Sequence, residues 1–152
     1  EPWRDPRAGH HRGHGEVEGD NIRYRDVVAE VVEELSAATE KALALGVRES
    51  LIAWDPGLGF AKTPEQSMML LRSLSRIGEI GYPVYVGASR KSFLAAHTVR
   101  ARRRPGPAER LGASVAACLL AVQAGAAAVR VHDVKAMARV VRMTEAILGR
   151  AP

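Results

Sequence analysis

"PVYVGASRKSF", residues 83–93, is the stretch on which the reading of this chain turns. An apolar run ends at Gly87, and a hydroxyl, a guanidinium and an ammonium follow at Ser89, Arg90 and Lys91. A surface turn has no need of that cluster, whereas a buried strand that opens onto an anion has a use for all three groups. The same grammar recurs on either side. Upstream, "LIAW", residues 51–54, is a short apolar run that stops at Asp55; downstream, "AAVRVH", residues 127–132, ends in Arg130, His132 and Asp133.

Helical patterns separate these runs. Val27, Val28, Val31, Leu35, Ala38, Ala42 and Leu45 recur at spacings of three and four, and Gly46 follows as a stop at the C′ position. "DPGLGFAK", residues 55–62, is a glycine-rich turn. "TPEQ" then opens a second helix, with Thr63 as N-cap, Pro64 in the first helical position and Gln66 completing a capping box; the pattern runs to about Gly81. After a loop containing "RARRRPGP", a third helix is expected over Ala108–Ala124 with Gly125 as its stop, and a fourth from near Val134 to about Leu148. Strands alternating with helices imply a parallel sheet with crossover helices, and therefore an α/β fold. In such a fold the three polar strand ends share one edge, where sites are built. Three strands do not close a barrel, which takes about 250 residues in its eight-stranded form, so the choice is a small open sheet or the C-terminal part of a barrel.

Composition permits this and narrows the rest. At 152 residues and 47% hydrophobic the chain can bury a core, and with aromatics at 5% that core is aliphatic. Lys and Arg outnumber Asp and Glu by 22 to 17, a net charge of +5 that suits an anionic ligand. One cysteine, Cys118, excludes an internal disulfide framework, fits a reducing cytoplasmic location, and lies on an Ala-rich helix as a core residue. No apolar run approaches the roughly 20 residues that span a bilayer, and the start, "EPWRDPRAGHHRGHG", lacks the apolar region of a signal peptide. Residues 1–20 read as loop or disorder, and residues 21–150 as the domain.

The polar clusters define a chemistry. Asp55 is able to accept from ring N–H groups of a heterocycle, or simply to start a turn before Pro-Gly. Lys91, Arg90 and Arg130 are cations for a phosphate, carboxylate or carbonyl oxygen, or else solvated loop residues. His132, two residues after Arg130, points to the same side of a strand and suits diphosphate as a donor. Gly57, Gly59 and Gly87 allow close backbone approach, and Phe60 offers an apolar wall. A planar hydrogen-bonding ring plus an anion is the implied ligand pair. His10, His11 and His14 form a possible metal tract without acidic or cysteine partners, and no metal site is expected from it. "RARRR", residues 100–104, lacks the aromatic interleaving of a nucleic-acid binder, and a basic loop is the preferred reading.

Together "DPGLGFAKTPEQ", "PVYVGASRKSF", "PAERLGASVAACLLAVQAGA" and "VRVHDV" resemble, in that order and spacing over roughly residues 20–150, the last strand motifs of the dihydropteroate synthase family. The resemblance implies the C-terminal portion of a (β/α)₈ TIM barrel, about strands 6–8 with their helices. It implies a transferase of folate biosynthesis that joins 4-aminobenzoate to a dihydropterin methyl diphosphate and releases diphosphate. Asp55 would then bind the pterin ring. Lys91 would contact the pterin and line the aminobenzoate pocket, Ser89 and Phe60 would contact aminobenzoate, where sulfonamides also sit, and Gly87 would allow close approach to the pterin. Arg130 and His132 would hold the departing diphosphate, with Lys91, Arg130 and His132 as the catalytic group and Arg90 as a support. In the family the chemistry is dissociative: diphosphate leaves with Mg²⁺ assistance and the arylamine attacks a cationic methylene.

The family's Asn-x-Thr-x-Asp-Ser-Phe and Ser-Thr-Arg-Pro loops and its further Asp and Asn pterin ligands have no counterpart in this sequence. "HHRG", residues 10–13, resembles the segment that ends the family's fifth strand, so the chain is expected to enter the fold there, with the magnesium ligand in the absent half. Three readings result: a synthase sequence, truncated or only partly given, whose activity alone the sequence leaves open; a non-catalytic remnant that binds diphosphate or sulfonamide-like ligands or complements a separate N-terminal half; and a basic-loop nucleic-acid binder, the least favoured. The expected partners are the two small-molecule substrates and a second copy of the chain, contacted through the helix at 108–124 and the last helix, with neither nucleic acid nor membrane.

Overall fold

The computed structural model describes residues 24–96 and 105–149, together with the backbone of Ala8–Gly9. The histidine tract, "HHRG" and "RARRR" lie outside the described residues.

The chain begins its order with β1 (Ala8–Gly9), inside the stretch expected to be loop. There follow α1 (Val27–Ala44), β2 (Trp54–Asp55), α2 (Pro64–Arg72), α3 (Leu74–Gly78), β3 (Tyr85–Val86), α4 (Leu111–Gln123), β4 (Ala128–Val129) and α5 (Val134–Ile147). β1 pairs in parallel with β2, and β3 in parallel with β4. A single parallel bridge, Trp54 to Val84, joins the two pairs. The spatial order is therefore β1-β2-β3-β4, each neighbour being the next strand in sequence, as successive β–α units produce. This adds one strand to the three expected. Its signal was hidden because "PRAGH" carries neither an apolar run nor alternation.

Local chemistry explains where the helices begin and end. The Asp26 side chain caps α1, accepting from the amides of Val28 at 3.0 Å and Ala29 at 3.1 Å. The capping box of α2 forms as its sequence requires: the Thr63 hydroxyl accepts from Gln66 N–H at 3.2 Å, and Gln66 Oε1 accepts from Thr63 N–H at 2.8 Å. Such caps contribute about 1 kcal/mol each. Gly46 and Gly125 follow α1 and α4 with φ of 85° and 89°, the left-handed stop that glycine permits.

Several boundaries differ from the expectation. The helix expected from Thr63 to Gly81 breaks at Ser73, which leaves the helical region (ψ 10°) and divides it into α2 and α3. The helix expected from Ala108 opens as a 3₁₀ turn over Pro107–Arg110, and α4 proper starts at Leu111. Each strand is only two residues long, and Leu51, expected to lead β2, sits exposed in a 3₁₀ turn over Glu49–Leu51. Arg130 and His132 lie beyond β4, although the Arg130 amide still donates to Val86 O at 2.8 Å.

The core gathers Val27, Val28, Val31 and Leu35 of α1, Leu70 and Leu71 of α2, Leu74 and Ile77 of α3, and the inward residues Ile52, Trp54, Val84 and Val86. Of the residues expected on the apolar face of α1, Ala38 and, just past its end, Leu45 are exposed, and Thr39 is buried instead. The reason is a polar contact: Trp54, fully buried, donates its indole N–H to Thr39 Oγ1 at 2.9 Å and stacks on Tyr82 at 5.1 Å. Cys118 is buried, as its helix implied. α5 is covered less than the others: only Met137 is buried, while Val134, Met143 and Ile147 are exposed. None of the described helices is long and apolar enough to cross a membrane.

Candidate functional site

Because β2, β3 and β4 run parallel, the segments that leave them emerge at one edge of the sheet. The β2 segment is a tight glycine turn. Asp55 Oδ1 accepts from the Gly57 amide at 2.9 Å, so one carboxylate oxygen of this half-buried residue starts the turn. Gly57 and Gly59 have φ of 67° and 73°, which glycine adopts at no steric cost. The Gly59 amide donates to the buried Ser67 Oγ at 3.1 Å, anchoring the turn on α2. Lys62, to which sequence reasoning assigned nothing, stitches the turn from outside by donating to Gly57 O at 3.3 Å and Phe60 O at 3.2 Å.

The β3 segment sends its side chains in different directions. The Lys91 ammonium donates to Leu58 O and lies 4.0 Å above the centre of the Phe60 ring, a cation–π contact. A Cβ added to Gly59 would lie 3.1 Å from Lys91 Cδ, so the glycine turn is shaped to receive this side chain. Ser89, nearly fully buried, faces the opposite way: its Oγ accepts from the His132 amide at 3.3 Å and lies 3.2 Å from His132 Nδ1. Between them Arg90 adopts the left-handed conformation, φ 59°. Its guanidinium grips Asp133 with both arms, Nε to Oδ2 at 3.1 Å and Nη2 to Oδ1 at 2.6 Å.

Beyond β4, Arg130 and His132 are exposed at the same edge, and Gly87 keeps its backbone close to Arg130: an added Cβ there would meet Arg130 Cβ at 3.9 Å. An open depression of about 540 Å³ lies alongside, lined by His132, Asp133, Val134, Lys135, Ala136 and Arg139. The sequence-expected residues thus fall into two contact groups. Lys91 joins Phe60 and Leu58; Ser89 joins His132, with Arg90 and Asp133 beneath. Asp55 and Arg130 share the edge without a direct bond to either group among the contacts described.

The electrostatics favour an anion. Arg130, Lys135 and Arg139 bring positive charge to the β4 side, while the Asp133 carboxylate is already paired with Arg90. Shifted ionisation is found away from this edge: burial raises the Cys118 thiol, and burial together with the Glu49 carboxylate at 3.1 Å raises the Tyr82 phenol. Among the described residues no three His, Cys, Asp or Glu side chains cluster in a way that could hold a metal ion. Two polar residues of α4 and the turn before it stand in the quoted "PAERLGAS" motif without having been given a role: Ser114 Oγ accepts from the Arg90 amide at 2.9 Å, and Arg110 Nη1 donates to Arg90 O at 2.8 Å. An Arg and a Ser four residues apart at a helix start carry no periodic signal that would have marked them.

Comparison with known proteins adds the following. Residues 9–132 match the family of pterin binding enzymes. A dihydropteroate synthase from Synechocystis sp. is 39% identical over 138 residues, which is 91% of this chain and 46% of that protein. The crystal structure of a dihydropteroate synthase from Stenotrophomonas maltophilia, with imidazole bound in its active site, superposes with a TM-score of 0.86 at 37% identity, covering 96% of this chain and 54% of that one. The enzyme from Xanthomonas albilineans in complex with 7,8-dihydropteroate superposes with a TM-score of 0.82 at 35% identity, covering 93% and 50%. The chain therefore spans about half the length of the relatives it matches.

Proposed function

The chain belongs to the family of pterin binding enzymes, and from that membership we propose that it carries the C-terminal half of a dihydropteroate synthase site. The reaction is the displacement of diphosphate from a dihydropterin methyl diphosphate by the amine of 4-aminobenzoate. The methylene C–O bond breaks, its electron pair leaves on diphosphate, the amine nitrogen bonds the methylene carbon, and the amine loses a proton. The four strands correspond in this reading to the end of strand five through strand eight of a (β/α)₈ barrel.

The observation that carries the reading is the convergence at one sheet edge of a cation over an aromatic ring and an Arg-His pair beside a basic depression. The second oxygen of Asp55 accepts from the pterin ring, with Gly87 admitting it closely. Lys91 and Phe60 line the boundary between the pterin and aminobenzoate sites, which is also where a sulfonamide would compete. Arg130 and His132 receive the diphosphate. The Ser89 hydroxyl accepts from the His132 amide and lies 3.2 Å from Nδ1, so it orients the imidazole and leaves Nε2 for an oxyanion. Ser89 thereby serves the diphosphate side through His132 as well as bordering aminobenzoate. Lys91, Arg130 and His132 act by charge stabilisation and orientation, without a covalent nucleophile. A magnesium ion acting with the diphosphate would take its protein ligands from outside the described residues.

The apolar side chains left exposed on α4 and α5, Leu111, Leu120, Met143 and Ile147 among them, support a homodimer through these helices. The single buried thiol suits a cytoplasmic protein. The second reading is a non-catalytic chain that binds diphosphate or sulfonamide-type ligands, or complements a separate N-terminal half; the basic depression beside Arg130 and His132 suits binding alone.

Titration calorimetry with inorganic diphosphate, 4-aminobenzoate and the dihydropterin diphosphate tests the proposal, alongside an assay of released diphosphate. Arg130→Ala and His132→Gln should each weaken diphosphate binding by about tenfold or more, the worth of a hydrogen bond to a charged group, with little change in melting temperature because both residues are exposed. Binding without turnover would favour the remnant, and turnover restored by an N-terminal half would favour complementation. Failure of the wild-type chain to bind diphosphate at all would sink the assignment of this edge.

A further inference from the structure

Arg90 holds a backbone conformation that a non-glycine residue avoids, and the groups that hold it there come from behind the site. Ser114 is fully buried and uses its hydroxyl twice, accepting from Arg90 N–H at 2.9 Å and donating to Arg110 O at 2.7 Å. Arg110 returns the contact, donating Nη1–H to Arg90 O at 2.8 Å, and braces itself with Nε–H on Pro105 O at 3.0 Å. Both backbone polar groups of Arg90 are therefore taken by α4 and the turn that precedes it, while its side chain is taken by Asp133, the neighbour of His132.

The left-handed step has a consequence for the residues on each side. Ser89 goes toward β4 and meets His132; Lys91 goes toward β2 and meets Leu58 and Phe60. In an extended conformation Arg90 would continue the strand instead of turning the chain between those two partners. We propose that Arg110 and Ser114 are positioning residues, which lock the Arg90 turn so that Ser89 fixes the His132 ring and Lys91 sits over Phe60. Neither touches the ligand edge. Their functional effect rests on the assignment of His132 to diphosphate, but the positioning itself does not.

The test uses the full chain carrying Ser114→Ala or Arg110→Gln. Three quantities are read: the NMR signals of the His132 imidazole and the Lys91 amide, the signal of the Trp54 indole N–H as a reporter of the core remote from this network, and the affinity for inorganic diphosphate. In both variants the His132 and Lys91 signals should move while Trp54 stays in place, and diphosphate binding should weaken by about tenfold, the usual reach of a residue that orients a ligand. Ser114→Ala removes one hydroxyl and decides the matter if Arg110→Gln does not fold. His132 and Lys91 signals at wild-type positions would overturn the proposal, and so would an equal displacement of Trp54, which would mark a purely structural role. If wild-type protein has no affinity for diphosphate, the anion assignment fails, and the His132 and Lys91 signals still decide whether Arg110 and Ser114 position them.

Discussion

Replacing Thr39 by Val should lower stability by about 1–3 kcal/mol, although the two side chains have nearly the same shape. The structure supplies the reason. Trp54 is fully buried, its indole N–H has Thr39 Oγ1 as acceptor at 2.9 Å, and Thr39 is itself only 3% exposed. Valine leaves no cavity, so the whole cost is that of an indole donor kept from water with nothing to accept from it. For a chain of this length about 1 kcal/mol moves the melting temperature by about 2–4 °C, so a fall of roughly 2–12 °C is expected in far-ultraviolet circular dichroism. Trp54→Phe removes the donor and will cost more on its own, through lost packing. The double variant Thr39→Val/Trp54→Phe then has no orphaned donor, and its loss should fall short of the summed single losses by about 1 kcal/mol or more. A Thr39→Val protein as stable as wild type, or strict additivity in the double variant, would refute the reasoning, because Thr39 would then be a passive spacer between α1 and β2.

Gly59→Ala should destabilise by about 1–3 kcal/mol, since φ of 73° strains any residue with a Cβ. The new methyl also meets Lys91 Cδ at 3.1 Å, so the Lys91 amide signal should shift more than in a Gly46→Ala control, whose Cβ would meet nothing within 4 Å; equal shifts in the two variants would contradict the packing of Lys91 against the turn. Cys118 should react with a maleimide only after unfolding, because it is buried and its thiol is raised by that burial. The raised thiol also has a pH signature: its contribution to stability is complete below the ordinary thiol range, near 9.0, and is lost as pH rises through the higher folded value. Urea midpoints should accordingly fall more steeply above about pH 9 in wild type than in Cys118→Ala, and parallel curves would show that burial does not shift the group.

Legibility varied with the range of the interaction that decides each feature. The start of α2 was readable because a capping box is complete within Thr63–Gln66. The stops at Gly46 and Gly125 were readable because a left-handed residue after a helix selects for glycine. The break at Ser73 was not, because the apolar spacing of Leu70, Leu71, Leu74 and Ile77 continues smoothly across it. β1 was not, because "PRAGH" around it carries neither an apolar run nor alternation, whereas the other three strands lie in apolar runs. Within the candidate site the residue types and the shared edge could be read from the ends of the apolar runs. The division of labour could not: Ser89 and Lys91 are two apart in sequence, yet a left-handed Arg90 sends them to different neighbours.

By itself the sequence determined the alternation of helices and parallel strands, an aliphatic core, and the placing of Asp55, Lys91, Arg130 and His132 at strand ends that share an edge. These follow from local periodicity and from the geometry that any parallel β–α succession obeys. Tertiary structure alone decided that Thr39 takes a core position beside Trp54, that Lys91 is tied to the glycine turn, that Asp133 belongs to Arg90, and that Ser114 and Arg110 hold the Arg90 turn from behind. Each of these is a hydrogen bond between residues far apart in the chain or turned by an unusual backbone angle. Only the packed fold brings donor and acceptor within 3 Å or so, which is the range over which such bonds act.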